Sequence, residues 1–189
     1  MGVDERVVHP VRNGQAIGQG RTVPLRAAAI SLRADQQDWS NRAVTPLSGR
    51  ATATRPTMAD VAAEALAWAT PLLARGPVLV YSTADSGAVK SVQSRLGAEE
   101  AGAMVERTIA SIARGLVERG VRQLVVAGGE TSGACVQALG ITQMQIGPQI
   151  DPGVPWCHAQ ALGAGLHITL KSGNFGGDDF FTRAFEVLA

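Results

Sequence analysis

The chain has 189 residues, of which 46% are hydrophobic and 17% charged, enough apolar material for one packed domain and too little length for two ordinary ones. Seventeen basic against sixteen acidic residues leave a formal charge of +1, and aromatics are 4%. That excludes the basic footprint and stacking platforms of a nucleic-acid binder, and a polybasic membrane-surface protein. The amino terminus, MGVDERVVHP, lacks the apolar core of a signal peptide. The longest uncharged stretch, Thr131 to Ile150, is broken by Gly133, Gly140, Gly147 and Pro148, so no membrane span is expected. Two cysteines, Cys135 and Cys157, cannot build a disulfide framework, and a reduced cytoplasmic setting is expected.

In chain order, residues 1–56 read as an arm or edge segment outside the main domain, because apolar runs are short and no period is sustained. The stretch Thr22 to Leu32 is compatible with a strand or a brief helix. From residue 57 to 189 the signals sharpen, and this part reads as the main domain. Thr57 and Asp60 have capping-box spacing, and Val61, Ala65, Trp68 and Leu72 repeat at helical spacing until Gly76-Pro77. Pro71 is expected to kink the last turn. Pro77 to Tyr81 predicts a buried strand, and Val89, Val92 and Leu96 a short helix. Ala98 to Arg119 is the clearest helix, with a stripe of Ala101, Val105, Ile109, Ile112 and Leu116 and with Gly120 just past its end. Gln123 to Ala127 predicts a second buried strand, followed by glycines and a helix through Leu139. Thr142 to Ile146 and Gly165 to Leu170 predict two more strands, and Asp178 to Leu188 a last helix. Helices alternating with short apolar strands predict an α/β fold in three layers, a mostly parallel sheet with helices on both faces.

In such sheets ligands gather beyond the carboxyl ends of the strands, where this chain carries its most unusual loops. The first is Gly128-Gly129-Glu130-Thr131-Ser132-Gly133 between a strand and a helix. Small residues allow close backbone approach, and free amides at a helix start favour phosphate. Thr131 and Ser132 offer hydroxyls, and Glu130 could hold water on a magnesium ion; a tight turn with Thr131 or Ser132 as N-cap explains the pattern equally well. The second is Lys171-Ser172-Gly173-Asn174-Phe175-Gly176, where Lys171 could neutralise phosphate charge. Asp178 and Asp179 read as caps of the last helix. The third, Ile146 to Trp156, reads as an irregular segment that either walls a base or ribose or is a rigid loop anchored by Trp156. His9, His158 and His167 are far apart in sequence and predict no metal site. Cys157-His158 lacks an orienting carboxylate, and Cys135 reads as core.

On GPVLVYSTAD, VAGGETSGACVQALGI, IGPQIDPGVPW and LKSGNFGGDDFF, taken in that order, Val61 to Leu188 resembles the C-terminal, nucleotide-binding domain of the four-carbon acid sugar kinases. The resemblance implies ATP and Mg2+ as cofactors and ATP-dependent phosphorylation of 3-oxo-tetronate, threonate or erythronate. It assigns nucleotide binding to Gly128 through Gly133 and to the Ser172 to Gly176 loop, with Ser172, Gly173, Asn174 and Gly176, beside which Lys171 is expected to offset phosphate charge. The family's sugar-binding N-terminal domain and its Gly-Ser-Cys-Ser stretch have no counterpart in residues 1–56, so the sugar acid is expected to need a missing domain. The alternative is a non-catalytic kinase remnant acting as an interaction module. A homo-oligomer is left open.

Overall fold

A computed structural model describes residues 15–18, 21–24, 26–31, 43–46, 57–82, 94, 97–172, 175–177 and 179–188. The strands are β1 (Gln15–Gly18), β2 (Arg21–Pro24), β3 (Arg26–Ser31), β4 (Ala43–Pro46), β5 (Val78–Tyr81), β6 (Val121–Ala127), β7 (Met144–Asp151), β8 (Val154–Ala161) and β9 (Ala164–Lys171). The helices are α1 (Met58–Leu72), α2 (Ala98–Glu118), α3 (Gly129–Ala138) and α4 (Phe180–Val187). β1 and β2 form a small antiparallel hairpin, and the others form a seven-stranded sheet in the order β4-β5-β3-β6-β9-β8-β7. The pairs from β4 across to β9 are parallel, while β9-β8 and β8-β7 are antiparallel. The expected mostly parallel α/β sheet is therefore present.

Side-chain alternation along each strand divides the core in two. Ala28, Ile30, Val78, Val80, Leu124, Val126, Leu166 and Ile168 pack with α1, α2 and α3 on one face. Their neighbours Ala27, Ala29, Leu79, Val125 and Ala127 pack with Trp156 and the Phe180, Phe181 and Phe185 side chains of α4 on the other. Helices cover both faces, as the unbroken apolar strands required. α2 turns its stripe inward as expected, with Ala101, Ile109, Ile112 and Leu116 buried, and Gly120 (φ 90°) closes it in a conformation open to glycine. α1 starts on the expected capping box: the Thr57 hydroxyl accepts from the Asp60 amide at 3.2 Å, and the Thr57 amide donates to the Asp60 carboxylate at 2.8 Å. These bonds hold the Asp60 carboxyl below its ordinary pKa. Thr57→Ala is expected to lower the thermal midpoint by roughly 2–4 °C in a melt followed by circular dichroism.

Three readings change. Residues 26–31 are not an arm: β3 lies between β5 and β6 and pairs in parallel with both, so the sheet crosses the division drawn at residue 56. Ile146 to Trp156 is not an irregular loop but most of a hairpin, with β7 running through Gly147 and Pro148 and a turn confined to Pro152-Gly153. Pro148 is tolerated because β7 is an edge strand and the register shifts between Ile146 and Gln149, where no ladder amide is needed. β8 was absent from the sequence reading. It joins β9 through Leu162 (φ 50°) and Gly163 (φ 79°), the positive angles of a tight two-residue hairpin turn. The short helix expected around Val89, Val92 and Leu96 lies outside the described residues. Among those described, no helix is long and apolar enough to cross a membrane.

Candidate functional site

The parallel strands β6 and β9 end level with each other, Ala127 opposite Lys171. The Gly128 amide donates to the Lys171 carbonyl at 2.8 Å and fastens the two exits together. Gly128 then turns the chain from strand into α3 with φ 126°, an angle side-chain-bearing residues rarely adopt. Its carbonyl accepts the Ser132 amide at 2.9 Å and the Ser132 hydroxyl at 2.6 Å. Gly128 is thus the N-cap and neither Thr131 nor Ser132 caps the helix. The Gly129, Glu130 and Thr131 amides open α3 with no side-chain cap, and first-turn amides have no partner inside their own helix. A Cβ added at Gly129 or at Gly133 would meet nothing within 4 Å. Among the described residues, no side chain caps the donors at this positive end of the helix.

Thr131 is fully buried, and its hydroxyl oxygen is the buried side-chain polar atom without a hydrogen-bond partner among the described residues. Such a group costs about 1–3 kcal/mol. Glu130, at the surface beside it, meets Glu106 of α2, which packs along α3. Partial burial, then the hydrogen bond and charge of Glu130, raise the Glu106 carboxyl above its ordinary pKa. Glu106 escaped the sequence reading because it sits on another helix, with no local motif to mark it.

Lys171 is buried, with its ammonium 5.7 Å from the Phe180 ring centroid, and burial lowers its pKa. Ser172 is exposed at the strand exit, and its carbonyl accepts the Phe175 amide at 3.2 Å. Gly176 has φ 87°, and a Cβ there would strike the Phe180 ring at 2.6 Å, so the loop needs glycine to enter α4. Gly173 and Asn174 lie outside the described residues. Phe175 is half exposed, beside Gly153 of the β7–β8 turn. The three motifs singled out in the sequence therefore meet at one end of the sheet.

Other expectations separate. Asp179 is the N-cap of α4 but makes no side-chain cap bond; Asp178 lies outside the described residues. Arg183 of α4 instead ties down the hairpin, donating to the Asp151 carboxylate at 2.8 Å and to the Ile150 carbonyl. Trp156 is buried, its indole N–H donating to the Ala184 carbonyl at 2.7 Å, so it is the packing anchor of the segment. Cys135 is core, its thiol pushed up to about 12 by burial. Cys157 packs against the α1–α3 face, while His158 belongs to the opposite one, so the adjacent pair cannot act together.

A sequence model of the nucleotide-binding C-terminal domain matches residues 33–181. A 3-oxo-tetronate kinase of Methylobacterium radiotolerans is 44% identical over 178 residues, covering 93% of this chain and 42% of the relative. A 3-oxo-tetronate kinase of Burkholderia multivorans is 59% identical over 112 residues, 59% of this chain and 26% of the relative. The chain thus spans less than half the length of these curated relatives. Among solved structures, a Haemophilus influenzae protein of the DUF1537 family superposes with a TM-score of 0.69 at 28% identity, over 90% of this chain and 44% of that one.

Proposed function

The chain belongs to the nucleotide-binding C-terminal domain family of the four-carbon acid sugar kinases, and from that premise we propose that it binds ATP for a kinase acting on 3-oxo-tetronate, threonate or erythronate. The observation that carries this reading is the uncapped start of α3, with an unpaired buried hydroxyl at Thr131. Phosphoryl transfer asks the protein for positioning and charge neutralisation more than for covalent chemistry. ATP supplies the phosphoryl group, and magnesium offsets the charge on its phosphates. The amides of Gly129, Glu130 and Thr131 donate to phosphate oxygens, with Gly128 and Gly133 keeping the approach free of side chains. The Ser132 hydroxyl is engaged by the Gly128 carbonyl, so Ser132 serves by shaping the turn.

Lys171 adds positive charge at the neighbouring exit, and Ser172, Gly173, Asn174 and Gly176 flank the nucleotide. Glu130, with Glu106 beside it, would hold Mg2+ through carboxylate oxygens. The acceptor sugar acid is bound by a separate sugar-binding domain, which also supplies the base for its hydroxyl. The two free thiols fit a reducing cytoplasm.

Calorimetry with ATP, ADP and magnesium tests the reading on the chain itself. Binding supports it; none at millimolar nucleotide rejects it and leaves a non-catalytic interaction module. Thr131→Val sharpens the test, because it removes a hydroxyl that the free chain leaves unpaired. An equal or higher melting temperature is expected together with a several-fold weaker ATP affinity. Unchanged affinity would remove that hydroxyl from the site.

A further inference from the structure

On the α4 face, a polar row crosses the sheet away from the strand exits. Gln123 of β6 stands opposite His167 of β9, His167 opposite His158 of β8, and His158 opposite Gln145 of β7. Directly opposed residues share a sheet face, so these four side chains form one continuous line. His167 lies four residues before Lys171, about 13 Å down the strand from the nucleotide loops. Along the same face Val125, Ala127 and Trp156 are apolar and buried.

The two imidazole centroids are 5.2 Å apart with their planes at 64°. Among the described residues neither ring has a hydrogen-bond partner. Gly165, on the same strand and face as His167, leaves open the space in which His158 Nε2 lies, 3.1 Å from where a Cβ would stand. His158 also lines an open depression of about 560 Å³ with Thr142, Gln143, Gln145 and Gln160, so one side of the pair reaches solvent.

We propose that His158 and His167 form a site for a borderline divalent transition-metal ion, of the Zn2+ or Ni2+ class, with water and the neighbouring Gln145 amide in the remaining positions. Three observations support this together: two imidazoles without hydrogen-bond partners among the described residues, a depression that brings solvent to His158, and a ring separation that suits a shared ion. An imidazole centroid lies about 1.1 Å behind its ligating nitrogen, so bonds of about 2.0–2.1 Å put each centroid about 3.1 Å from the ion. At a tetrahedral angle the two centroids then stand about 5.1 Å apart, close to the observed spacing. Imidazole selects Zn2+, Ni2+ or Cu2+ over the oxygen-seeking Mg2+, so this site is chemically distinct from a magnesium–nucleotide site. Among the described residues no third His, Cys, Asp or Glu joins the pair, which leaves the ion open to solvent and exchangeable. A bound ion would also clamp β8 to β9.

Titration of the whole chain with Zn2+ or Ni2+ in a calorimeter is expected to show one ion bound, at least about tenfold more weakly in both H158Q and H167Q, with ATP affinity unchanged. No binding at about 100 µM metal, or equal binding in the parent and both variants, overturns the site. Because His167 is half buried and its replacement can disturb folding, Co2+ added to the unaltered chain gives an independent reading. Visible d–d bands that disappear in H158Q support two-imidazole ligation; their absence in the unaltered chain refutes it.

Discussion

Gly129→Val is expected to weaken ATP binding at least about tenfold while leaving the thermal midpoint within about two degrees of the parent. The two halves of this result have separate causes. A Cβ at Gly129 meets nothing within 4 Å, so the fold has room for the new side chain. At the first position of α3, valine is no worse a helix former than glycine. The same side chain stands beside the first-turn amides of Gly129, Glu130 and Thr131, where the proposed phosphate would need close approach to the backbone. Calorimetry with magnesium and ATP, paired with a melting curve, reads both. Unchanged affinity in a folded variant would reject phosphate binding at this helix start. A large loss of stability would show instead that the glycine serves packing.

Trp156→Ala should produce the largest loss of stability, about 3–5 kcal/mol, or roughly 10 °C in midpoint for a chain of this size. The indole is fully buried between the sheet and α4, its ring 6.1 Å from that of Phe185, and its N–H bonds the Ala184 carbonyl. Removing it opens a cavity and leaves that carbonyl without the indole donor. Trp156→Phe keeps most of the volume and loses only the bond, so a smaller drop, about 1–3 kcal/mol, is expected. Chemical denaturation of both variants separates the packing and hydrogen-bond contributions. If the two lose the same amount, volume is not what the indole provides.

Local signals made the helices legible. The Thr57–Asp60 box, the Ala101 to Leu116 stripe and Gly120 each act within one or two turns, and each appears where the sequence puts it. The glycine-rich exits were equally legible, because a strand that must turn at once into a helix needs residues able to take angles such as φ 126° at Gly128. β3 was illegible for the opposite reason. Its Arg-Ala-Ala-Ala-Ile-Ser sequence favours helix locally, and only burial between β5 and β6, with α4 on one face and α1 and α2 on the other, makes it a strand. β7 and β8 were hidden by Gly147, Pro148, Pro152, Gly153 and Pro155, residues that read as loop in one dimension and are tolerated on an edge strand, at a turn and at a register shift.

From the sequence alone, an α/β domain with glycine-rich loops at its strand exits was legible, since backbone angles, capping and periodicity are properties of neighbouring residues; the nucleotide-binding reading came from the likeness of those loops to a known family. Tertiary structure alone decided that β3 is central, that Ala127 and Lys171 end side by side, and that Glu106 meets Glu130. It also brought His158 opposite His167. Each of these depends on which strands and helices become neighbours, and that is set by the shared burial of apolar faces contributed from distant parts of the chain.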